Sequence, residues 1–202
     1  SSDVCSSDLP VLVVYPMLFA WLSHRTAIRL AEHKRRLELM STRDGMTGVF
    51  NRRHWETLLR NEFDACRRSH RQATILLIDI DHFKTINDTW GHDVGDEAIV
   101  AITRQLQLTL RSGDYIGRFG GDEFAVIMSG TPADSAIAAM SRVHERLVNM
   151  PLHGAPTARL CISVGVAPWG AQFTHYREWL KAADVALYKA KNAGRGRTEV
   201  AA

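Results

Sequence analysis

Thr74-Ile-Leu-Leu-Ile-Asp-Ile80 is an apolar run of strand length with no polar alternation. A strand with one wet face alternates; one without alternation is covered on both faces and lies centrally in a sheet. The run ends in Asp79-Ile-Asp81, two acids at the C-terminal end of a buried strand. A carboxylate there needs a cation, a network of donors or a shifted pKa. Fold and chemistry are therefore constrained at one point of the chain.

The elements around this strand follow from pattern. Asp44 to Arg53 is loop-like, with two glycines and an Asn suited to cap a helix from about Arg52 to Ser69, which would bury Trp55, Leu58, Leu59 and Phe63. A loop from Asn87 to Asp96 is expected to lead into a helix from about Glu97 to Leu110. The flanks of Arg118-Phe-Gly-Gly-Asp-Glu-Phe124 are aromatic and β-branched, so they predict a β-hairpin. Its two glycines would supply positive φ, and its tip would present Asp122 and Glu123. Helices over about Ala133–Met150 and Tyr176–Asn192 and a strand over Ala158–Ala167 complete the pattern. Helices alternating with strands, a hairpin among them, read as an α/β sandwich with a mixed sheet.

The start of the chain has a different character. Residues 1–9 are a near-duplicated polar tract and are read as non-native or unassigned. Val11–Leu22 is uncharged and apolar, interrupted by Pro16, and shorter than the ~20 residues that cross a bilayer. A basic flank follows, from Arg25 through Arg36, as on the cytoplasmic side of a membrane helix. Residues 10–22 are read as the remnant of a transmembrane helix, with a buried or interfacial helix as the competing reading. Residues 23–43 are read as a connector helix, and 44–202 as the globular domain. The net charge of +3 tolerates a polyanionic ligand without demanding one. Three scattered cysteines offer neither a metal spacing nor a disulfide framework, which suits a reducing compartment.

Asp122 and Glu123 can approach Asp79 if their strands are neighbours. Three carboxylates with a backbone carbonyl make a hard-oxygen site for Mg²⁺ or Mn²⁺, and Mg²⁺ commonly completes its shell with substrate phosphates. A nucleoside triphosphate is the economical substrate. The bland alternative is an acid cluster neutralised by Lys84 or Arg118. Lys84, Lys191 and Arg195 are candidates to hold phosphates, the last two sharing a face at the end of the final helix. Asn87 and Asp96 are either helix caps or base readers; a carboxylate accepts from both N1–H and the exocyclic amine of guanine. Arg111-Ser-Gly-Asp114, by itself, is a surface ion pair or a weak sign of a nucleotide site.

Several motifs then stand in one order: Asp44 to Arg53, Asp79-Ile-Asp-His-Phe-Lys84 with Asn87-Asp88, Gly91-His-Asp-Val-Gly-Asp96, Arg118 to Phe124, and Ala186-Leu-Tyr-Lys-Ala-Lys191 with Gly194-Arg195. From Asp44 to about Arg197 the chain resembles a GGDEF domain, the catalytic module of bacterial diguanylate cyclases. The resemblance implies a palm-like nucleotidyl cyclase fold with a five-stranded mixed sheet flanked by helices. It implies a metal, Mg²⁺ or Mn²⁺, on Asp79, the Ile80 carbonyl and Glu123, with Asp122 as proton acceptor or second-metal ligand. Asn87 and Asp96 would read guanine, His92 and Lys84 would shape the site, and Lys84, Lys191 and Arg195 would contact the triphosphate. Two GTP-loaded domains would meet as a homodimer and make cyclic di-GMP. Arg111 and Asp114, with Arg142, match the family's product-inhibition site. The start resembles membrane-anchored cyclases whose N-terminal sensor is here truncated, implying the bacterial inner membrane with a cytoplasmic catalytic domain. A non-catalytic cyclic di-GMP receptor and another palm-type nucleotidyl cyclase are the alternatives.

Overall fold

The computed structural model describes residues 15–29 and 42–201. They belong to two units, divided at Ser41 and Thr42. In the first, residues 15–29 are one helix, continuous across the boundary that the sequence suggests near residue 23. Its Tyr15, Met17, Leu18, Phe19, Trp21 and Leu22 are exposed, and Arg25 lies 4.4 Å over the Trp21 ring. Among the described residues, no helix is long and apolar enough to cross a membrane. The polar tract 1–9, the first part of the expected membrane segment and most of the connector lie outside the described residues.

From Thr42 the chain forms β1 (Phe50–Asn51), α1 (Arg52–Ser69), β2 (Ala73–Ile80), α2 (Phe83–Trp90), α3 (His92–Thr109), β3 (Tyr115–Arg118), β4 (Glu123–Ser129), α4 (Ala133–Val148), β5 (Ile162–Pro168), α5 (Tyr176–Asn192) and β6 (Thr198–Val200). The sheet order is β1-β3-β4-β2-β5-β6. β2 is antiparallel to both neighbours, whereas the β1–β3 and β5–β6 pairs are parallel. The sheet is therefore mixed, with six strands rather than the expected five. Phe50–Asn51 sits inside a stretch that reads as loop, and Thr198–Val200 is too short to register as a strand by composition.

β2 is central and covered on both faces, as its unbroken apolar run requires. Leu76, Ile78 and Ile80 face one core with Ile99, Ile102 and Leu106 of α3 and Met140, Val143 and Leu147 of α4. Ile75 faces the other, with Trp55, Leu59 and Phe63 of α1 and Trp179 and Ala183 of α5. The indoles of Trp55 and Trp179 are each paired: Trp55 Nε1 donates to the Tyr115 carbonyl at 3.0 Å and Trp179 Nε1 to that of Ala167 at 2.9 Å. α5 lies so close to β5 that a Cβ on Gly165 would come within 2.2 Å of the Ala183 oxygen and the Leu187 nitrogen. That glycine fixes the distance of α5 from the sheet, and with it the reach of side chains near the helix end.

Two local expectations are corrected. Asn87–Asp96 is not a loop: α2 runs through Asn87, breaks at Gly91 with φ +87, and α3 begins at His92. A single glycine at positive φ suffices to separate the two helices. The strand expected from Ala158 starts at Ile162. By contrast, α1 starts and ends as expected, with Asn51 capping it by accepting from the His54 N–H at 2.9 Å.

Candidate active site

The β2–β4 register places Asp79 directly opposite Glu123, and the Ile80 N–H donates to the Asp122 carbonyl at 3.1 Å. The three acids expected to gather do gather at one end of the sheet. Asp79 is 9% exposed, and burial raises its pKa. The Lys191 ammonium, 2.7 Å from Oδ2, pulls the other way, while the charges of Asp122 and Glu123 push further up. The net direction is upward, with burial the largest cause. The cation on Asp79 is thus neither Lys84 nor Arg118. Among the described residues, no group of three or more His, Cys, Asp and Glu side chains stands ready as a metal cage. The donors still fit Mg²⁺ or Mn²⁺ by type: two carboxylates on paired strands and the Ile80 backbone, all hard oxygens.

The hairpin tip is built differently from its sequence signature. Neither Gly120 nor Gly121 has a left-handed backbone. The turn is closed by the Phe119 and Gly120 N–H groups donating to the Glu123 carbonyl at 2.8 and 3.4 Å. Arg118 holds it from below, donating from Nε to Gly120 O at 3.1 Å and from Nη2 to Gly121 O at 2.8 Å. Its Nη1 reaches Asp44 at 3.2 Å. Burial works to raise the Asp44 pKa, but hydrogen bonds from Thr47 and Arg118 outweigh it and hold it below the usual value. A Cβ on Gly121 would meet nothing within 4 Å, so neither φ nor space within this chain demands a glycine at that position. A cavity of about 290 Å³ opens beside Glu123, edged by Arg52, Phe119, Arg177 and Lys181.

The remaining candidates surround this cluster. Lys84 is exposed in the first turn of α2, just past the β2 acids. Asn87 and Asp96 are brought to one helix junction, because the Asn87 carboxamide packs on Gly95: a Cβ there would lie 1.9 Å from Asn87 Oδ1. His92 and Asp96 are exposed at the start of α3. Lys191 and Arg195 do not share a helical face as expected. α5 ends at Asn192, and Arg195 lies beyond it in a turn with φ +62. That turn is held by Asp81, which the sequence marks only as the second acid of its pair.

Arg111 and Asp114 form a closed turn. The Arg111 N–H donates to Asp114 Oδ2 at 2.9 Å, and the Asp114 N–H to the Arg111 carbonyl at 3.0 Å. Burial raises the Asp114 pKa against that bond. Both line a cavity of about 430 Å³ with Arg43, Phe50 and Tyr115. Arg142, on the exposed side of α4, is not among the residues lining it.

Comparison with known proteins places this arrangement. The family model described as diguanylate cyclase, GGDEF domain, matches residues 41–197. The chain is 74% identical over 195 residues to the probable diguanylate cyclase DgcC of Escherichia coli K12, covering 96% of this chain and 53% of that protein. It is 34% identical over 159 residues to the diguanylate cyclase DosC of the same organism, covering 78% of this chain and 34% of that protein. The chain thus spans about half the length, or less, of these relatives. Among solved structures, the GGDEF domain of Caulobacter crescentus DgcB in complex with c-di-GMP superposes with a TM-score of 0.76 at 27% identity, covering 80% of this chain and 96% of that one. Pseudomonas aeruginosa diguanylate cyclase SiaD, in complex with its activator SiaC, does so with a TM-score of 0.74 at 32% identity, covering 96% and 77%.

Proposed function

This chain belongs to the GGDEF family of diguanylate cyclases, and on that premise we propose that it condenses two GTP into cyclic di-GMP with release of two pyrophosphates. The observation that carries the reading is Asp79 in register with Glu123, with Asp122 beside them and Lys191 on Asp79. Asn87 and Asp96 receive guanine, with His92 at the rim of the same junction. Lys84, Lys191 and Arg195 bind the triphosphate, as cations do for oxyanions. Each 3′-oxygen attacks the α-phosphorus of the other nucleotide, the bond from that phosphorus to the pyrophosphate oxygen breaks, and the hydroxyl proton passes to Asp122. Asp79, the Ile80 carbonyl and Glu123 would hold a divalent ion, Mg²⁺ or Mn²⁺, which would offset charge on the phosphoryl group. The described residues offer one such cluster and the product needs two nucleotides, so the active form is a homodimer.

Product returns to the cavity at Arg111 and Asp114, with Arg142 from α4 as a third contact, and lowers turnover. The exposed apolar side chains of residues 15–22, followed by basic residues, support attachment to a bacterial inner membrane with the catalytic domain in the cytoplasm. A cyclic di-GMP receptor without catalysis is disfavoured because Asp79, Asp122 and Glu123 are all present and assembled. Glu123→Gln decides between enzyme and receptor. It should lower turnover by on the order of 100-fold or more while GTP still binds. Turnover at the unsubstituted rate would remove Glu123, and the acid cluster with it, from the chemistry.

A further inference from the structure

Two acids at the end of β2 act on the end of α5 in different ways. Asp79 takes the Lys191 side chain, whereas Asp81 takes backbone: the Gly196 N–H donates to its Oδ2 at 2.9 Å. The other oxygen, Oδ1, accepts from Ser163 Oγ at 2.6 Å, and the Asp81 N–H donates to the Cys161 carbonyl at 2.9 Å. Asp81 is 3% exposed and Ser163 fully buried, so the carboxylate is held at both oxygens and its backbone is anchored as well. The turn it grips is unusual. Gly194, Arg195 and Gly196 have φ of +113, +62 and +58, three left-handed residues in a row. Glycines adopt this freely, but an arginine does so only where its surroundings hold it. On the helix side the Arg195 N–H donates to Ala190 O at 3.1 Å; on the sheet side Asp81 holds Gly196, and the Val164 N–H donates to the Arg197 carbonyl at 2.9 Å.

We propose that Asp81 is a positioning residue for Arg195, fixing through Gly196 the left-handed turn that aims the guanidinium at the triphosphate. The inference rests on the reading that Arg195 binds phosphate. A hydrogen bond to an ionised acceptor is among the stronger ones a turn can have. Without it, Arg195 is freer to relax toward ordinary negative φ, and its Cα–Cβ direction changes with the backbone.

The test uses the full chain with Mg²⁺ and two probes, GMP and a non-reacting α,β-methylene analogue of GTP. Asp81→Asn should weaken the triphosphate analogue about tenfold, a shift within the usual worth of one charged hydrogen bond, and leave GMP binding unchanged. Arg195→Ala should weaken the analogue to a similar degree, and the double variant should bind no more weakly than Arg195→Ala alone. Ser163→Ala, which frees one side of Asp81 without touching its charge, should shift analogue binding in the same direction by less, so the outcome does not hang on Asp81→Asn folding. Equal weakening of GMP and analogue, or added weakening in the Arg195→Ala background, overturns the proposal. If Arg195→Ala binds the analogue as tightly as the unsubstituted chain, the phosphate reading of Arg195 fails and this inference with it. If Arg195→Ala weakens binding but Asp81→Asn and Ser163→Ala do not, only the role of Asp81 fails.

Discussion

At the scale of single residues, the site depends on where side chains are missing as much as on where they stand. Gly95 lies inside α3, where alanine would be favoured by about 1 kcal/mol on helix propensity alone. Yet a Cβ there would come within 1.9 Å of Asn87 Oδ1. Gly95→Ala should therefore displace the Asn87 carboxamide from its seat while the gain in propensity offsets part of the strain. The expected result is a Tm close to that of the unsubstituted chain with GTP affinity lower by about tenfold, read by calorimetry. Unchanged affinity would detach Asn87 from guanine recognition. Arg118 shows the complementary case: a residue that reads as a possible neutraliser of the acids instead holds the turn that presents them, bonding to Gly120, Gly121 and Asp44.

At the scale of elements, the edges of the sheet carry testable chemistry. His144 of α4 meets Thr198 of β6 at 3.1 Å, and burial lowers its ring pKa from the usual 6.5, with Asp81 pulling weakly the other way. The unfolded chain then binds a proton that the folded chain refuses, so stability falls as pH drops through 6.5 toward the folded value. His144→Gln should flatten that fall: its Tm should change less than the unsubstituted protein's between about pH 7 and pH 5. Equal slopes would show that His144 titrates freely. On the β3 side, Arg111→Ala should leave turnover at low product intact and relieve inhibition by added cyclic di-GMP; unchanged inhibition would refute the assignment. Legibility also divides by element. The unbroken run of β2 and the patterned faces of α1 and α5 are plain in the sequence, because burial writes itself as composition. β1 and β6 are not, since two or three residues paired at an edge carry no pattern of their own. The α2–Gly91–α3 junction reads as loop because its residues from Asn87 to Asp96 are mostly polar or glycine. The acids of the site were legible as types and spacings, but the Lys191–Asp79 pair and the Asp81–Gly196 bond are tertiary facts with no local signal.

At the scale of the whole molecule, the β2–β4 register gathers one set of acids at one end of a sheet, and cyclic di-GMP contains two nucleotides. On the proposed reading each chain supplies half of what the reaction needs, so activity per chain should rise with protein concentration until dimers saturate. The most direct measurement is to incubate the chain with GTP and Mg²⁺ across a range of protein concentrations and identify the products by mass. Cyclic di-GMP with two pyrophosphates for each, formed at a rate that climbs faster than protein concentration, is the predicted result. A cyclic mononucleotide, or no cyclic di-GMP at any protein concentration, would contradict it.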